Sequence, residues 1–187
     1  MASNRHLGRI VALQTLYEYD FRSRSGDVPE LDELIERHLS RYTDTIDDLS
    51  FVEDLIRGVI TGADELDAQI QPLAPDWPLA QIARIDHVIL RLAFYELFEL
   101  KDSQIPPKVT INEAVELAKS FGADKSSKFI NGVLGSAWRK AHPEDTSSPK
   151  PEKIPAPDVA ADSKPEPVVE SLLVVESTVE TKQEQTS

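Results

Sequence analysis

Over the first 142 residues, apolar side chains recur every three or four positions, the spacing of one helix face at about 100° per residue. Ser3 can cap a first helix reaching to about Arg22, with Leu7, Ile10, Val11, Tyr17 and Phe21 on its buried face. Asp27, Val28 and Pro29 break the pattern. Leu31, Leu34, Ile35, Leu39 and Tyr42 mark a second, shorter amphipathic helix. The third is the most regular: Leu49, Val52, Ile56, Val59, Ala63, Leu66 and Ile70 predict one helix over 49–70 with a wet acidic face opposite. Pro72, Pro75 and Pro78 then form a linker that includes Trp77.

Residues 79–100 leave little of their later part polar, and a helix apolar nearly all round belongs in the middle of a bundle. Residues 103–107 break it. Thr110 and Glu113 have the spacing of a capping box, and Ile111, Ala114, Val115, Ala118 and Phe121 supply the buried face of the helix that follows. Gly122 stands where a left-handed C-cap is expected. Asp124 or Ser126 can cap a last helix built on Phe129, Ile130, Val133, Leu134 and Ala137. No stretch alternates like a strand. The expectation is an all-α body, residues 1–142, in two packed helical halves hinged near 72–78.

Composition changes at residue 143. Residues 143–187 hold seven of the 13 prolines, no Gly and no aromatic residue. So few large apolar groups cannot offset the entropy of ordering, so a disordered, Pro-rich acidic tail is expected. Its one apolar run, V-V-E-S-L-L-V-V at 168–175, reads as a chance patch or as a short docking segment.

The formal net charge of -13 argues against a protein that coats nucleic acid, which usually carries a basic face. The charge is segregated, however. Residues 27–67 hold 13 acids against three Lys or Arg, and the tail ten against four. Residues 1–26 and 68–142 are slightly basic. With no cysteine there is no disulfide, no thiolate catalysis and no Cys-built zinc site. No apolar run approaches the ~20 residues of a membrane span, and residues 1–9 lack the apolar core of a signal peptide. A cytoplasmic protein is the expectation.

Enzyme chemistry finds no support. His6, His38, His87 and His142 have no metal-ligand spacing, and His38 and His87 fall on helices where surface or packing roles suit them. There is no Walker loop, no G-x-G-x-x-G and no G-x-S-x-G. Paired acids such as Asp47 with Asp48, and Glu53 with Asp54, fit a solvated helix face. No cofactor, metal or small-molecule substrate is implied. What remains is basic. Arg5 and Arg9, four apart, share a face of the first helix and could grip phosphate. Lys125, Ser126, Ser127, Lys128 and Phe129 place two cations, two hydroxyls and an aromatic at a helix start, where free amides also attract anions. Phe129 could stack on an unpaired base or belong to the core.

Three stretches then resemble the NusB family of bacterial transcription antitermination factors. They are R-I-V-A-L-Q-T-L-Y at 9–17, I-D-H-V-I-L-R-L-A-F-Y-E-L at 85–97, and P-K-V-T-I-N-E-A-V-E-L-A-K-S-F-G at 107–122 followed by K-F-I-N-G-V-L at 128–134. The resemblance covers about residues 3–141, and the tail has no counterpart in it. It implies an all-α fold of two three-to-four-helix halves, about seven helices in all. It also implies binding of boxA RNA in partnership with NusE, a small-subunit ribosomal protein, within an antitermination complex on RNA polymerase, without catalysis. Position by position, the family's RNA surface falls on Arg5, Arg9, Gln14, Tyr17, Arg91, Lys128 and Phe129. Gln14 could read a base edge and Tyr17 could stack, or both could pack. Arg91 could instead pair with Asp86 or Glu96 within its helix. Asn112 and Asn131 suit caps or helix contacts, and Gly132 and Gly135 suit close helix approach despite costing ~1 kcal/mol each relative to Ala. The chain departs from the pattern twice. Its amino terminus offers only Arg5 and His6 where the family is richer in arginine, and Lys125 replaces a commonly acidic residue, which should favour an anion.

Two other classes compete. A helical RNA-binding module of ribosomal RNA methyltransferases needs a second, α/β domain, where this chain runs into its tail. A protein–protein adaptor would touch no RNA. The tail itself is simplest as an inert solubilising extension; its negative charge could also fold back and compete with RNA. The inert reading predicts that deleting residues 143–187 leaves RNA affinity at low salt unchanged in a fluorescence titration. A raised affinity would instead show self-inhibition.

Overall fold

Among the described residues, the apolar stripes of the helices pack against one another, as the computed structural model shows. The structure describes residues 2–100, 105–144 and 156. Among them are seven α-helices and no strand: α1 (Ala2–Arg24), α2 (Leu31–Leu39), α3 (Leu49–Thr61), α4 (Ala63–Ile70), α5 (Arg84–Phe94), α6 (Pro107–Phe121) and α7 (Ser126–Ala141). The all-α expectation holds. α1 already runs through Ser3, whose side chain lies outside what is described, as do the break at 103–104 and nearly all of the tail.

α5 is the axis. Of its residues only Arg84 and Arg91 are not buried, and it packs on α1, α3, α4, α6 and α7. α1 to α3 gather on one side and α6 with α7 on the other. One continuous apolar cluster joins the two, from Val11 and Leu13 through Leu55, Ile89 and Phe94 to Phe129 and Leu134. The linker expected to act as a hinge is tied down by Gln71. Its amide group donates to the carbonyls of Ala74 (3.2 Å) and Trp77 (3.3 Å), and its side-chain oxygen accepts from the Leu79 amide (3.1 Å).

Local chemistry explains where the helices stop. α1 ends in a Schellman motif: the Gly26 amide bonds the Ser23 carbonyl (3.1 Å), the Asp27 amide bonds that of Arg22 (3.0 Å), and Gly26 takes the left-handed φ of 82°. Asp48 caps α3 by accepting from the Phe51 amide at 3.1 Å. The single helix expected over 49–70 is instead two, because Gly62 (φ -94°, ψ 12°) leaves the helical region. The long helix expected over 79–100 is a short turn (Leu79–Gln81), then α5, then one wide π turn (Tyr95–Glu99).

Three expectations are corrected around α6. The helix starts at Pro107, which needs no amide partner there, so Thr110 and Glu113 form no capping box. Both turn inward to pair with other helices instead. Gly122 is not left-handed (φ -93°, ψ -178°); a Cβ there would lie 2.5 Å from the Ser126 Cβ and 2.6 Å from the Ala118 carbonyl oxygen, so space demands glycine. Neither Asp124 nor Ser126 caps α7, which begins at Ser126 itself. Elsewhere, Phe21 is half exposed beneath the Arg84 guanidinium (5.2 Å) rather than buried, and Gly135 abuts its own helix's Arg139 rather than a neighbouring helix.

Close approach does occur at Gly58. The Tyr95 ring lies across it, so that a Cβ would fall 1.9–2.3 Å from the phenol end of the ring. Gly58→Ala must therefore push the π turn away from α3. Overpacking of this kind costs about 1–3 kcal/mol, and urea denaturation of the variant should show a loss of that size. An unchanged midpoint would mean that Tyr95 swings clear without cost.

Candidate nucleic-acid interface

The residues expected to bind RNA divide sharply by depth. Arg9 is 3 % exposed. Its Nε donates to Glu96 Oε2 (2.9 Å) and a terminal nitrogen to Glu96 Oε1 (2.5 Å), a two-pronged pair between α1 and the π turn. Its other terminal nitrogen reaches Glu113 Oε2 on α6 at 3.3 Å. Thr110 donates to Glu96 Oε1 (3.0 Å), and His6 Nδ1 lies 2.7 Å from Glu113 Oε2. The guanidinium also sits 5.5 Å above the Phe51 ring. Arg9 is thus committed to two carboxylates inside the protein, which corrects its assignment as a phosphate ligand. One turn earlier, Arg5 shares the same helix face but stands at the surface, 43 % exposed, 5.1 Å over Phe51 and 3.8 Å from Asp48.

Arg91 is likewise withdrawn. It pairs with neither Asp86 nor Glu96. Its Nε and a terminal nitrogen donate to Asp67 Oδ1 (2.7 Å) and Oδ2 (2.6 Å) on α4, and Asp20 of α1 lies 3.7 Å away. His87 Nε2 meets the same Asp67 Oδ1 at 2.7 Å. Burial alone would raise the Asp67 pKa, but hydrogen bonds from Arg91 and His87 outweigh it and hold the carboxyl well below the usual range. His38 packs in the same manner against Glu18 (3.0 Å).

Gln14 is buried and Tyr17 half-buried on α1, each engaged within the protein. Phe129 is wholly buried among Val133, Leu134 and the rest of the core, so it has no face to offer a base; the stacking role is corrected to packing. Lys125 and Lys128 are exposed, one turn apart on the outer face where α7 begins. Asn131 continues that exposed line, and Asn112 is exposed on α6.

The structure therefore brings two basic features to the surface. Arg5 lies by the C-terminal end of α5, through the contact of Arg9 with Glu96. The lysines lie by the N-terminal end of α5, where Ser126 donates to Asp86 Oδ2 at 2.8 Å. The two anchor points are about 15 Å apart along α5 at 1.5 Å per residue. Sequence reasoning missed Glu96, Glu113, Thr110, Asp86 and Ser126 as organisers. Their signal was available for four of them: Glu96, Glu113, Thr110 and Asp86 are polar residues within stretches that resemble the family, whereas Ser126 lies between two such stretches.

Residues 6–139 match the profile described as the NusB family. The transcription antitermination protein NusB of Chloroflexus aggregans is 41% identical over 135 residues, covering 72% of this chain and 87% of that one. The solved structure of T. maritima NusB is similar with a TM-score of 0.63 at 32% identity, covering 78% of this chain and 94% of that one. The chain in a crystal structure of the antitermination factors NusB and NusE with double-stranded RNA shares the fold, with a TM-score of 0.64 at 23% identity, covering 75% and 99%.

Removing Arg9 leaves Glu96 buried without its partner. Losing one member of such a pair costs about 3–5 kcal/mol, so Arg9→Ala should lower unfolding stability by that order, whereas Arg5→Ala should change it by less than about 1 kcal/mol. Equal, small effects in urea denaturation would overturn this division of the two arginines.

Proposed function

The chain belongs to the NusB family, and from that membership we propose that it binds boxA-type single-stranded RNA together with NusE, a small-subunit ribosomal protein. The complex so formed assembles on RNA polymerase to prevent termination during ribosomal RNA transcription, in the cytoplasm. The observation that carries this reading is the exposure of Lys125 and Lys128 at the start of α7, beside and within the family-like stretches, while Ser126, Phe129 and Ile130 next to them are buried. Arg5 supplies a third exposed cation at the other end.

These groups would meet phosphates, which position a strand rather than read it. Tyr17, half-exposed on α1, is the accessible aromatic of the family surface. Arg9, Gln14, Arg91 and Phe129 contribute from beneath, by holding α1, α5 and α7 in register. In one solved structure of the same fold, NusB stands with NusE and double-stranded RNA. Those partners come to this chain by kinship.

A fluorescence titration with boxA RNA and a scrambled RNA, each with and without NusE, tests the proposal. Selective binding strengthened by NusE is expected. Binding to NusE with no effect of RNA would replace the reading with that of a protein–protein adaptor. Each neutralised phosphate contributes about -0.7 to the slope of log affinity against log salt for single strands. Lys128→Ala should therefore weaken boxA binding and flatten the slope by about one contact, with helical content intact by circular dichroism. Unchanged affinity would remove Lys128 from the site.

A further inference from the structure

The basic end of α7 is held by a buried polar clamp. Ser126 is 0 % exposed, and its hydroxyl both donates to Asp86 Oδ2 on α5 (2.8 Å) and accepts from the Ala123 amide (3.0 Å). The Ser126 amide returns a bond to the Ala123 carbonyl at 3.0 Å, closing the turn between α6 and α7 on itself. Asp86 is itself 0 % exposed and stands in the first turn of α5, where the helix dipole favours a negative charge. Gly122 lets this turn pass so close that any side chain would strike Ser126. Buried contacts thus stand on both sides of Lys128: the clamp at Ser126 before it, and the core residues Phe129 and Ile130 immediately after it.

A hydroxyl buried against a carboxylate is not needed to begin a helix, and it caps none of the free amides of α7. Its effect is to weld the first turn of α7 to α5. We infer that Asp86 and Ser126 are positioning residues for RNA, acting through Lys128 by fixing where its ammonium group stands; this rests on the function proposed above. Lysine is a flexible point charge, so its contribution to binding depends on how well its backbone is placed.

A double-mutant cycle on the full chain tests the clamp, read by boxA RNA titration at several salt concentrations and by NusE binding as a check on the fold. Ser126→Ala should weaken RNA binding by about fivefold to tenfold, a coupling within the usual range for residues acting on one another. It should leave NusE binding unchanged. In the Lys128→Ala background the same change should cost little further, because the group it positions is gone. Asp86→Asn, which keeps the size and an acceptor oxygen, should lose less than Ser126→Ala and show the same dependence on Lys128, and it serves if Ser126→Ala does not fold. If either clamp variant weakens RNA binding equally with and without Lys128, the role is general stability and the inference is wrong. If Lys128→Ala weakens binding while both clamp variants bind like wild type, the inference fails and the proposed site stands. If Lys128→Ala itself has no effect, the proposed site fails, and the positioning role falls with it.

Discussion

A guanidinium buried in an apolar core must have a carboxylate, and the pair of Arg9 with Glu96 is where that requirement organises this fold. The two residues lie 87 positions apart and meet through two parallel hydrogen bonds. Such a pair has one good geometry, because the planar fork of arginine fits a carboxylate edge-on. It therefore fixes the register of α1 along α5. Thr110 and Glu113 extend the demand to α6, since a half-satisfied buried network is worse than none. The apolar cluster supplies most of the driving force for folding but is tolerant of sliding. The polar network selects one arrangement among those the apolar stripes would allow.

A second network works in the same way around the rest of α5. Asp67 of α4 receives Arg91 and His87, and Asp20 of α1 stands beside Arg91 and Arg84. Ser126 of α7 reaches Asp86. A helix buried nearly all round thus sends its few polar groups outward: His87 and Arg91 to α4, Arg84 and Arg91 to α1, and Asp86 to α7. That makes α5 a spine to which α1, α4 and α7 are keyed, with α6 joined through Glu96 of the π turn.

This explains what the sequence could and could not reveal. The apolar repeat set the helices and the central place of α5 because that repeat is a local property of the chain. Helix ends were read less well. Thr110 and Glu113 have the spacing of a cap, yet both are drawn into the core by Arg9 and Glu96, partners far away in sequence. Gly122 has the position of a C-cap, yet what it provides is room for Ser126. The site was legible in part for the same reason. A resemblance marks positions shared by a family, and it does not separate residues that touch a ligand from those that hold the scaffold. Arg9 and Phe129 sit in the most family-like stretches and are buried; Lys125 departs from the family pattern and is exposed.

The charge balance can now be weighed by distance rather than by sum. α2 and α3, which carry much of the central acidic block, pack against α1, while α7 packs on α5 and α6. Exposed charges farther apart than the screening length of about 8 Å at physiological salt hardly feel one another. The acids of α2 and α3 are therefore poor opponents of an anion at the start of α7. Arg5 is different. Asp48 lies 3.8 Å from it, fixed in place by the cap it forms on α3, and hydrogen bonds from Ser50 and the Phe51 amide hold its carboxyl charged. A phosphate arriving at Arg5 must share the guanidinium with this carboxylate, so Arg5 contributes the difference between two exposed ion pairs, a small quantity. Under the proposed RNA-binding reading, the weight of phosphate contacts then falls on the lysines of α7, and the net charge of -13 decides nothing about them.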